Sequence, residues 1–347
     1  MSVVSVVMPT YRAAKWVAAS IDSVSAQTYR DVELIVVDDG SPDDTVAVVR
    51  RKLAQDFPHR WKVIELGANR GASAARNAGL GAASGAWVQY LDSDDLMAPT
   101  KLERQMAICA QAPDDVVGVY SPFRFCHIDD GVVSWVGPLV ESDVEGRPAI
   151  MSLIGGFRPL LASGLARRTV LEGIGGFDET LRFWECEEIT FRLARAGRLV
   201  AVPMPEPSYL WRMHRGQSYI GGEHARYRSA AVALGWIDLV LKAADHGTLS
   251  ALGLTEAERR GVLDECTMWA RQLYAQDRAA FRRFVAQART LDPDVAPTNP
   301  GYVTTAARYV GYEAAEGIAN LARMPRTLVR KTLQKAGLRA QNGLFEY

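Results

Sequence analysis

Cysteine is scarce in this chain and scattered. The 4 cysteines in 347 residues, Cys109, Cys126, Cys186 and Cys266, form no C-x-x-C pair. That argues against a zinc site or a disulfide framework and predicts free thiols in a reducing compartment. Net charge is also missing. Lys and Arg number 40 and Asp and Glu number 40, so no global field draws a polyanion, and nucleic acid is not an expected partner. Long apolar runs are absent. The most apolar later stretch, Ala230 to Leu241, spans twelve residues and carries Asp238, which suits a core helix rather than a membrane span. No charged leader precedes an apolar core at the start, because Met1 to Met8 runs straight into Pro9-Thr10. No secretory signal is therefore expected, and the expected location is cytoplasmic. A Gly-rich turn is missing after the first apolar run, where a dinucleotide-binding dehydrogenase would need one, and Pro9-Thr10-Tyr11-Arg12 stands in its place.

What the chain has instead is a repeating alternation of strand and helix. Val3 to Met8 is β-branched and continuously apolar, as a strand covered on both faces requires. A helix is predicted from Ala13, with Val17, Ile21 and Val24 on one face. Val32 to Val37 is a second strand, followed by a helix from about Asp43 to Ala54 and a strand from Trp61 to Leu66. A helix over Ala74 to Ala83 then leads to a strand opening at Ala86. Four strands about twenty-five to thirty residues apart predict right-handed βαβ crossovers and a parallel sheet. The chain is long enough for one large α/β domain and an appended part. Ligands of such sheets sit at the carboxyl ends of the strands. Those ends carry Thr10 and Tyr11, Asp38 and Asp39, the Asn69 to Arg76 loop, and Asp92-Ser93-Asp94-Asp95. Carboxylates at alternate positions of extended chain share a side, so Asp92 and Asp94 can converge on one hard divalent cation. Taken alone, the tetrapeptide equally fits a solvated turn with capping duty.

Val6-Val7-Met8-Pro9-Thr10-Tyr11-Arg12, Val36-Val37-Asp38-Asp39-Gly40-Ser41, Asn69-Arg70-Gly71 with Ala75-Arg76-Asn77-Ala78-Gly79, and Leu91-Asp92-Ser93-Asp94-Asp95 together resemble the ordered motifs of family 2 glycosyltransferases. The resemblance covers about Ser2 to Ser218. It implies an α/β fold of GT-A type, a Rossmann-like, mostly parallel sheet flanked by helices, to which the sequence appends an α-helical C-terminal region. It also implies a nucleotide-sugar donor, most simply a UDP-sugar, and transfer to an acceptor hydroxyl with inversion. Pro9, Thr10 and Tyr11 would line the nucleotide pocket, Asp39 would accept a hydrogen bond from the base, and Asn69, Arg76 and Ser93 would complete the donor site. Asp92 and Asp94 would hold magnesium or manganese, which offsets charge on the leaving diphosphate. Tyr209-Leu210-Trp211-Arg212-Met213-His214 resembles a further family segment. It implies His214 near the diphosphate or metal and Arg212 near donor or acceptor.

After Gln105, strands are expected at Val116 to Tyr120, Ser121 to His127, Ser134 to Val136 and Leu160 to Arg167, before Gly175-Gly176-Phe177-Asp178-Glu179. That last run also resembles the family, where it precedes the catalytic helix. Phe123, Phe125, Trp135 and Trp184 are available either as a sugar-stacking surface or as core. The catalytic helix departs from the family pattern. Relatives carry a Glu-Asp pair with the Asp as general base, and gapless matching places Glu185 on the Glu and Cys186 on the Asp. A neutral thiol is a poor base, so Glu185 and Glu187 become the base candidates. The alternatives are an impaired enzyme or a sugar-nucleotide-binding scaffold protein. Glu185, Glu187 and Glu188 also suit the macrodipole of a first helical turn. A nucleotidyltransferase, which also needs a carboxylate pair on an α/β sheet, lacks its Gly-rich basic first loop here.

The expected organisation is a catalytic domain over 1–222, with a donor half 1–110 and an acceptor half 111–222, a helical extension 223–291, a linker 292–301 and a helical tail 302–347. The tail carries Arg323, Arg326, Arg330, Lys331, Lys335 and Arg339, with no acid from Gly317 to Phe345. Such a segment can lie on anionic lipid at the inner face of the membrane, which suits a lipid-linked acceptor as well as a carbohydrate one. A solvated helix and a partner-binding face are open alternatives for the tail, and the helical extension is open to packing on the catalytic domain or to forming a homo-oligomer.

Overall fold

The structure, a computed structural model, describes residues 2–55, 57–129, 132–141, 160–181, 184–213, 274 and 277–291. The chain divides into two compact units, 1–224 and 225–347. In the first unit, strands β1 (Val4–Thr10), β2 (Val32–Asp38), β3 (Arg60–Glu65) and β4 (Trp87–Tyr90) alternate with helices α1 (Val17–Ser25), α2 (Thr45–Leu53) and α3 (Ala72–Ala82). Next come β5 (Leu96–Met97), α4 (Lys101–Cys109), β6 (Val116–Tyr120), β7 (Phe123–Asp129) and β8 (Val132–Val140). The unit continues through α5 (Leu160–Ser163), β9 (Gly164–Arg167), α6 (Arg168–Gly173), α7 (Glu185–Ala196), β10 (Arg198–Ala201) and β11 (Tyr209–Arg212). In the second unit α8 (Arg278–Leu291) is described. The extension before residue 274, the linker and the basic tail lie outside the described residues.

Seven strands form the main sheet in the order β10-β6-β9-β4-β1-β2-β3. The pairs β1–β2, β1–β4, β2–β3 and β6–β10 are parallel, and β9 runs antiparallel between β4 and β6. This is the α/β architecture of GT-A type that the sequence predicts. The expected strand over Leu160 to Arg167 needs a correction, because Leu160–Ser163 is a helical turn and only Gly164–Arg167 is strand. An apolar run of this length has no periodicity that separates the two.

Both faces of the sheet are buried. Val4, Val6 and Met8 of β1 meet Val17, Ile21 and Val24 of α1 and Leu102 and Met106 of α4. Val7 faces the other way, with Val88, Tyr90, Ile189 and Leu193. Each such side chain contributes roughly 1.5–3 kcal/mol when fully buried, which explains why the strands read as unbroken apolar runs. On this second face α3 approaches β1 closely. A Cβ added at Gly79 would lie 2.3 Å from Val7 Cγ1, so this contact excludes a larger residue.

A second, four-stranded sheet has the order β5-β11-β7-β8. It joins segments more than a hundred residues apart in sequence.

Candidate active site

The carboxyl ends of β1 and β2 are locked together first. Thr10 Oγ1 donates to Asp38 Oδ1 at 3.2 Å, the Asp39 amide donates to the Thr10 carbonyl at 2.9 Å, and the Arg12 amide donates to Ser41 Oγ at 3.1 Å. Gly40 turns the chain at φ +70, and a Cβ there would sit 2.7 Å from the Ala68 carbonyl carbon. Only glycine meets both demands. The turn presents Asp39, which is buried and accepts the amides of Arg70 at 2.7 Å and Gly71 at 2.9 Å. Asp39 therefore shapes the Asn69-Arg70-Gly71 loop, and an ionised carboxylate retains acceptor capacity beyond these two bonds.

These ends enclose a cavity of about 450 Å3. Pro9, Thr10, Tyr11, Asp39, Asn69, Arg76, Asp92, Ser93 and Asp94 all line it, as do Arg12, Ala13, Trp16, Gly71, Ala72 and Ala75. Trp16 is the aromatic that sequence reasoning missed. It stands just before α1, out of phase with the Val17, Ile21 and Val24 stripe, and that mismatch was the available signal. Tyr11 is 42% exposed at the mouth, with the Arg12 guanidinium 5.3 Å from its ring centre.

The Asp92 turn is held from three directions. Ser20 Oγ of α1 donates to the Ser93 carbonyl at 2.9 Å, Asp95 N donates to the Asp92 carbonyl at 3.1 Å, and Asp95 itself is buried. The Asp95 carboxylate accepts from Tyr209 Oη at 2.5 Å and from the Arg212 amide at 2.7 Å. Burial pushes Asp95 well above the usual carboxylate range, with Asp94 and Asp92 adding to the shift. Asp95 thus ties the turn to β11 and does not cap α4 as its sequence position allows. The tie also fixes Arg212, whose side chain is buried while its Nε and Nη2 have no hydrogen-bond partner among the described residues. Burial weighs against the charge of Arg212, and Asp94 and Asp95 favour it. Arg212 does not line the cavity, and His214 lies outside the described residues.

Arg76 is the hinge of the site. Its Nη2 donates to Asp92 Oδ1 at 2.9 Å and its Nη1 to Glu185 Oε1 at 3.3 Å, and its guanidinium lies 5.3 Å from the centre of the Phe177 ring. A single buried cation therefore joins the fourth strand's turn to the start of α7. The Gly175-Gly176-Phe177-Asp178-Glu179 run brings α7 there. Gly176 at φ +66 lets Phe177 N donate to Asn77 Oδ1 at 2.7 Å, while Asn77 Nδ2 donates to the Phe177 carbonyl at 2.9 Å. Cys186 packs against the Val88 and Tyr90 cluster. Burial pushes its thiol well above the ordinary range, Arg76 opposing and Glu185, Glu187 and Asp92 adding, so the thiol stays protonated near neutrality. Glu188 is taken by Arg192, at 2.5 and 2.6 Å.

The strand ends thus carry a carboxylate-lined cavity, and α7 offers a further carboxylate across a shared arginine. The family model "Glycosyl transferase family 2" matches residues 5–163, and an uncharacterized glycosyltransferase from Nostoc sp. is 31% identical over 241 residues, 68% of this chain and 72% of its own length. The chain belongs to glycosyl transferase family 2. The UDP-Glc:α-D-GlcNAc-diphosphoundecaprenol β-1,3-glucosyltransferase WfgD of Escherichia coli is 36% identical over 135 residues, 39% of this chain and 51% of its own length. Among solved structures, Staphylococcus aureus TarS 1-349 in complex with UDP-GlcNAc shares the fold, with a TM-score of 0.59 over 98% of this chain and 93% of that one, at 18% identity. No helix among the described residues is long and apolar enough to cross a membrane.

Proposed function

We propose that this glycosyltransferase moves a sugar from a UDP-sugar to an acceptor hydroxyl with inversion, in the assembly of a polysaccharide or a lipid-linked glycan at the cytoplasmic face of a membrane. The observation that carries the reading is the Arg76 bridge, because it sets Glu185 beside the cavity that Asp92 and Asp94 line. UDP in the complex of the structural neighbour and in the name of the E. coli relative supports the choice of donor. The diphosphoundecaprenol in that relative's name supports a lipid-linked acceptor.

Thr10 and Tyr11 border the nucleoside end of the cavity, and Asp39 offers an acceptor to a base imide. Asp92 and Asp94 suit magnesium or manganese, which bind through one or two carboxylates and take substrate phosphates as further ligands. Substrate oxygens would complete the coordination that the Asp92 and Asp94 pair begins, with His214 as the further family candidate. Such an ion supplies Lewis-acid stabilisation of the departing diphosphate. Arg212, buried and outside the cavity lining, acts on the donor through its neighbours Asp94 and Asp95 rather than by direct contact. Glu185, or Glu187 on the same first turn, takes the proton of the acceptor hydroxyl as it attacks the anomeric carbon, through a transition state of oxocarbenium character.

Transfer from UDP-glucose and UDP-GlcNAc to a polyprenyl-diphosphate-linked GlcNAc, with Glu185→Gln, Glu187→Gln and Cys186→Ser variants, tests the assignment. One of the Gln variants is expected to lose about 100-fold or more in turnover, as removal of a general base does. Cys186→Ser is expected to stay close to the parent rate. Unaltered rates in both Gln variants would refute a carboxylate base on this helix, and the scaffold reading, motivated by Cys186, gains if the parent forms no product.

A further inference from the structure

Arg12 has no role in the donor reading above, yet its backbone sets it apart. Among the residues that line the cavity it alone, glycine aside, has φ in the left-handed region, at +52. A side chain there crowds the following carbonyl, and such a conformation persists only where the surroundings over-determine it. They do so here. The Arg12 amide donates to Ser41 Oγ at 3.1 Å, the Ala13 amide to Thr45 Oγ1 at 2.8 Å, and the Ser41 amide to Asp38 Oδ2 at 2.9 Å. Residues 12 and 13 are thereby pinned to the connection between β2 and α2 and to the first residue of α2.

The pinning decides which flank of the cavity Arg12 serves. In the sheet β1 lies between β4 and β2, so the turn bearing Asp92 and Asp94 and the connection that holds Arg12 stand on opposite sides of the end of β1. Arg12 is on the side of Asp39. Its guanidinium lies 5.3 Å from the centre of the Tyr11 ring, exposed at the cavity it lines. A guanidinium offers donors and no acceptor, whereas an ionised carboxylate offers acceptors alone. Asp39 receives one backbone amide on each oxygen and keeps further lone pairs, so this flank sets a donor near an acceptor.

That pairing suits the edge of uracil, an imide N–H between two carbonyls. Asp39 takes the N–H and Arg12 meets a carbonyl beside it. With the ribose and diphosphate running toward Asp92 and Asp94, the 4-carbonyl, remote from the glycosidic nitrogen, is the one that reaches the flank of Arg12. Cytosine has the same size but carries an amine there and a bare ring nitrogen at the imide position. It would set donor against donor and acceptor against acceptor, and polar groups left unmatched in this way cost more than an absent bond.

We propose that Arg12 is a specificity-determining residue for the donor, its guanidinium donating to the 4-carbonyl of uracil beside the imide that Asp39 accepts. The inference rests on the donor-site reading above and names a contact that selects the base.

The test is titration calorimetry of the full chain with UDP and with CDP, both in manganese, for the parent and the Arg12→Gly, Arg12→Met and Arg12→Lys variants. Glycine keeps the left-handed turn without the side chain, methionine keeps its length without donors, and lysine keeps a donor. The parent is expected to bind UDP at least a hundredfold more tightly than CDP. Arg12→Gly and Arg12→Met are expected to bind UDP roughly tenfold more weakly, about 1.4 kcal/mol, with CDP affinity unchanged, and Arg12→Lys to keep most of the preference. Equal weakening toward UDP and CDP would reveal a phosphate contact and overturn the proposal, as would a parent that does not distinguish the two. A UDP to CDP ratio unchanged in Arg12→Gly and Arg12→Met overturns it while the donor reading stands. A parent that binds neither nucleotide overturns both.

Discussion

At the scale of single residues, the site depends on charged groups held by several neighbours at once. Glu33 shows the cost and return most simply. Its Oε1 accepts from Ser5 Oγ at 2.5 Å, Ser84 N at 2.6 Å, Ser84 Oγ at 2.9 Å and Gly85 N at 3.2 Å, and so it fastens β1 and β2 to the turn that launches β4. Burial acts to raise its pKa, and the bonds from Ser5 and Ser84 overcome that and hold it below the usual carboxylate range. A depressed folded value means that the stabilisation is complete above the unfolded value, near 4.3, and is lost as pH falls through the folded value. Glu33→Gln is therefore expected to lower the urea midpoint at pH 7 and to flatten its decline as pH falls below about 4.3. A parallel decline in parent and variant would contradict this role. The sequence made Arg76 and Asp92 legible as site residues through their family motifs. It did not make legible that they bond to each other, nor that Glu185 shares the same guanidinium. Such contacts depend on where α7 docks, and that is settled by Gly176, Asn77 and Phe177 rather than by any local spacing.

At the scale of elements, β11 is the part whose placement matters most and whose sequence says least. Four residues, Tyr209–Arg212, pair with β5 on one side and β7 on the other, and Asp95 clasps both ends of the strand. Tyr209→Phe removes the 2.5 Å bond and leaves a buried carboxyl with one donor fewer, at a cost of about 1–3 kcal/mol. The expected outcome is a lower melting temperature together with weaker donor affinity, since Arg212 and Asp94 lose their common anchor. Thermal melting and UDP titration of the variant check both, and unchanged donor affinity would show that the clasp serves stability alone. By contrast, α1, α2, α3 and the strands between them were readable to within a few residues. Each carries a full apolar stripe or run of its own, whereas β5 and β11 acquire their pairing only from partners distant in sequence.

At the scale of the whole molecule, the parallel strands set the order in which motifs reach the cavity. Parallel pairing brings β4, β1 and β2 to adjacent positions, so Thr10, Asp39 and Asp92 arrive at one edge from widely separated stretches of sequence. That convergence was legible because the strand spacing was regular. Of the strand expected over Leu160 to Arg167, β9 (Gly164–Arg167) was legible and its start was not, since Leu160–Ser163 is a helical turn. The Arg323 to Arg339 segment lies outside the described residues, and its expected affinity for anionic lipid remains a property read from charge.

The cavity proposed to hold the donor is probed directly by a thermal-shift panel of UDP, GDP, UDP-glucose, UDP-GlcNAc and GDP-mannose, with and without manganese. A ligand that binds only the folded chain at 100 times its Kd stabilises it by about 2.7 kcal/mol. The parent is expected to be stabilised by UDP and a UDP-sugar more than by the guanosine series, with manganese enhancing the shift and Asp94→Ala abolishing that enhancement. A flat response to every nucleotide at millimolar concentration, or an Asp94→Ala response identical to that of the parent, would contradict it.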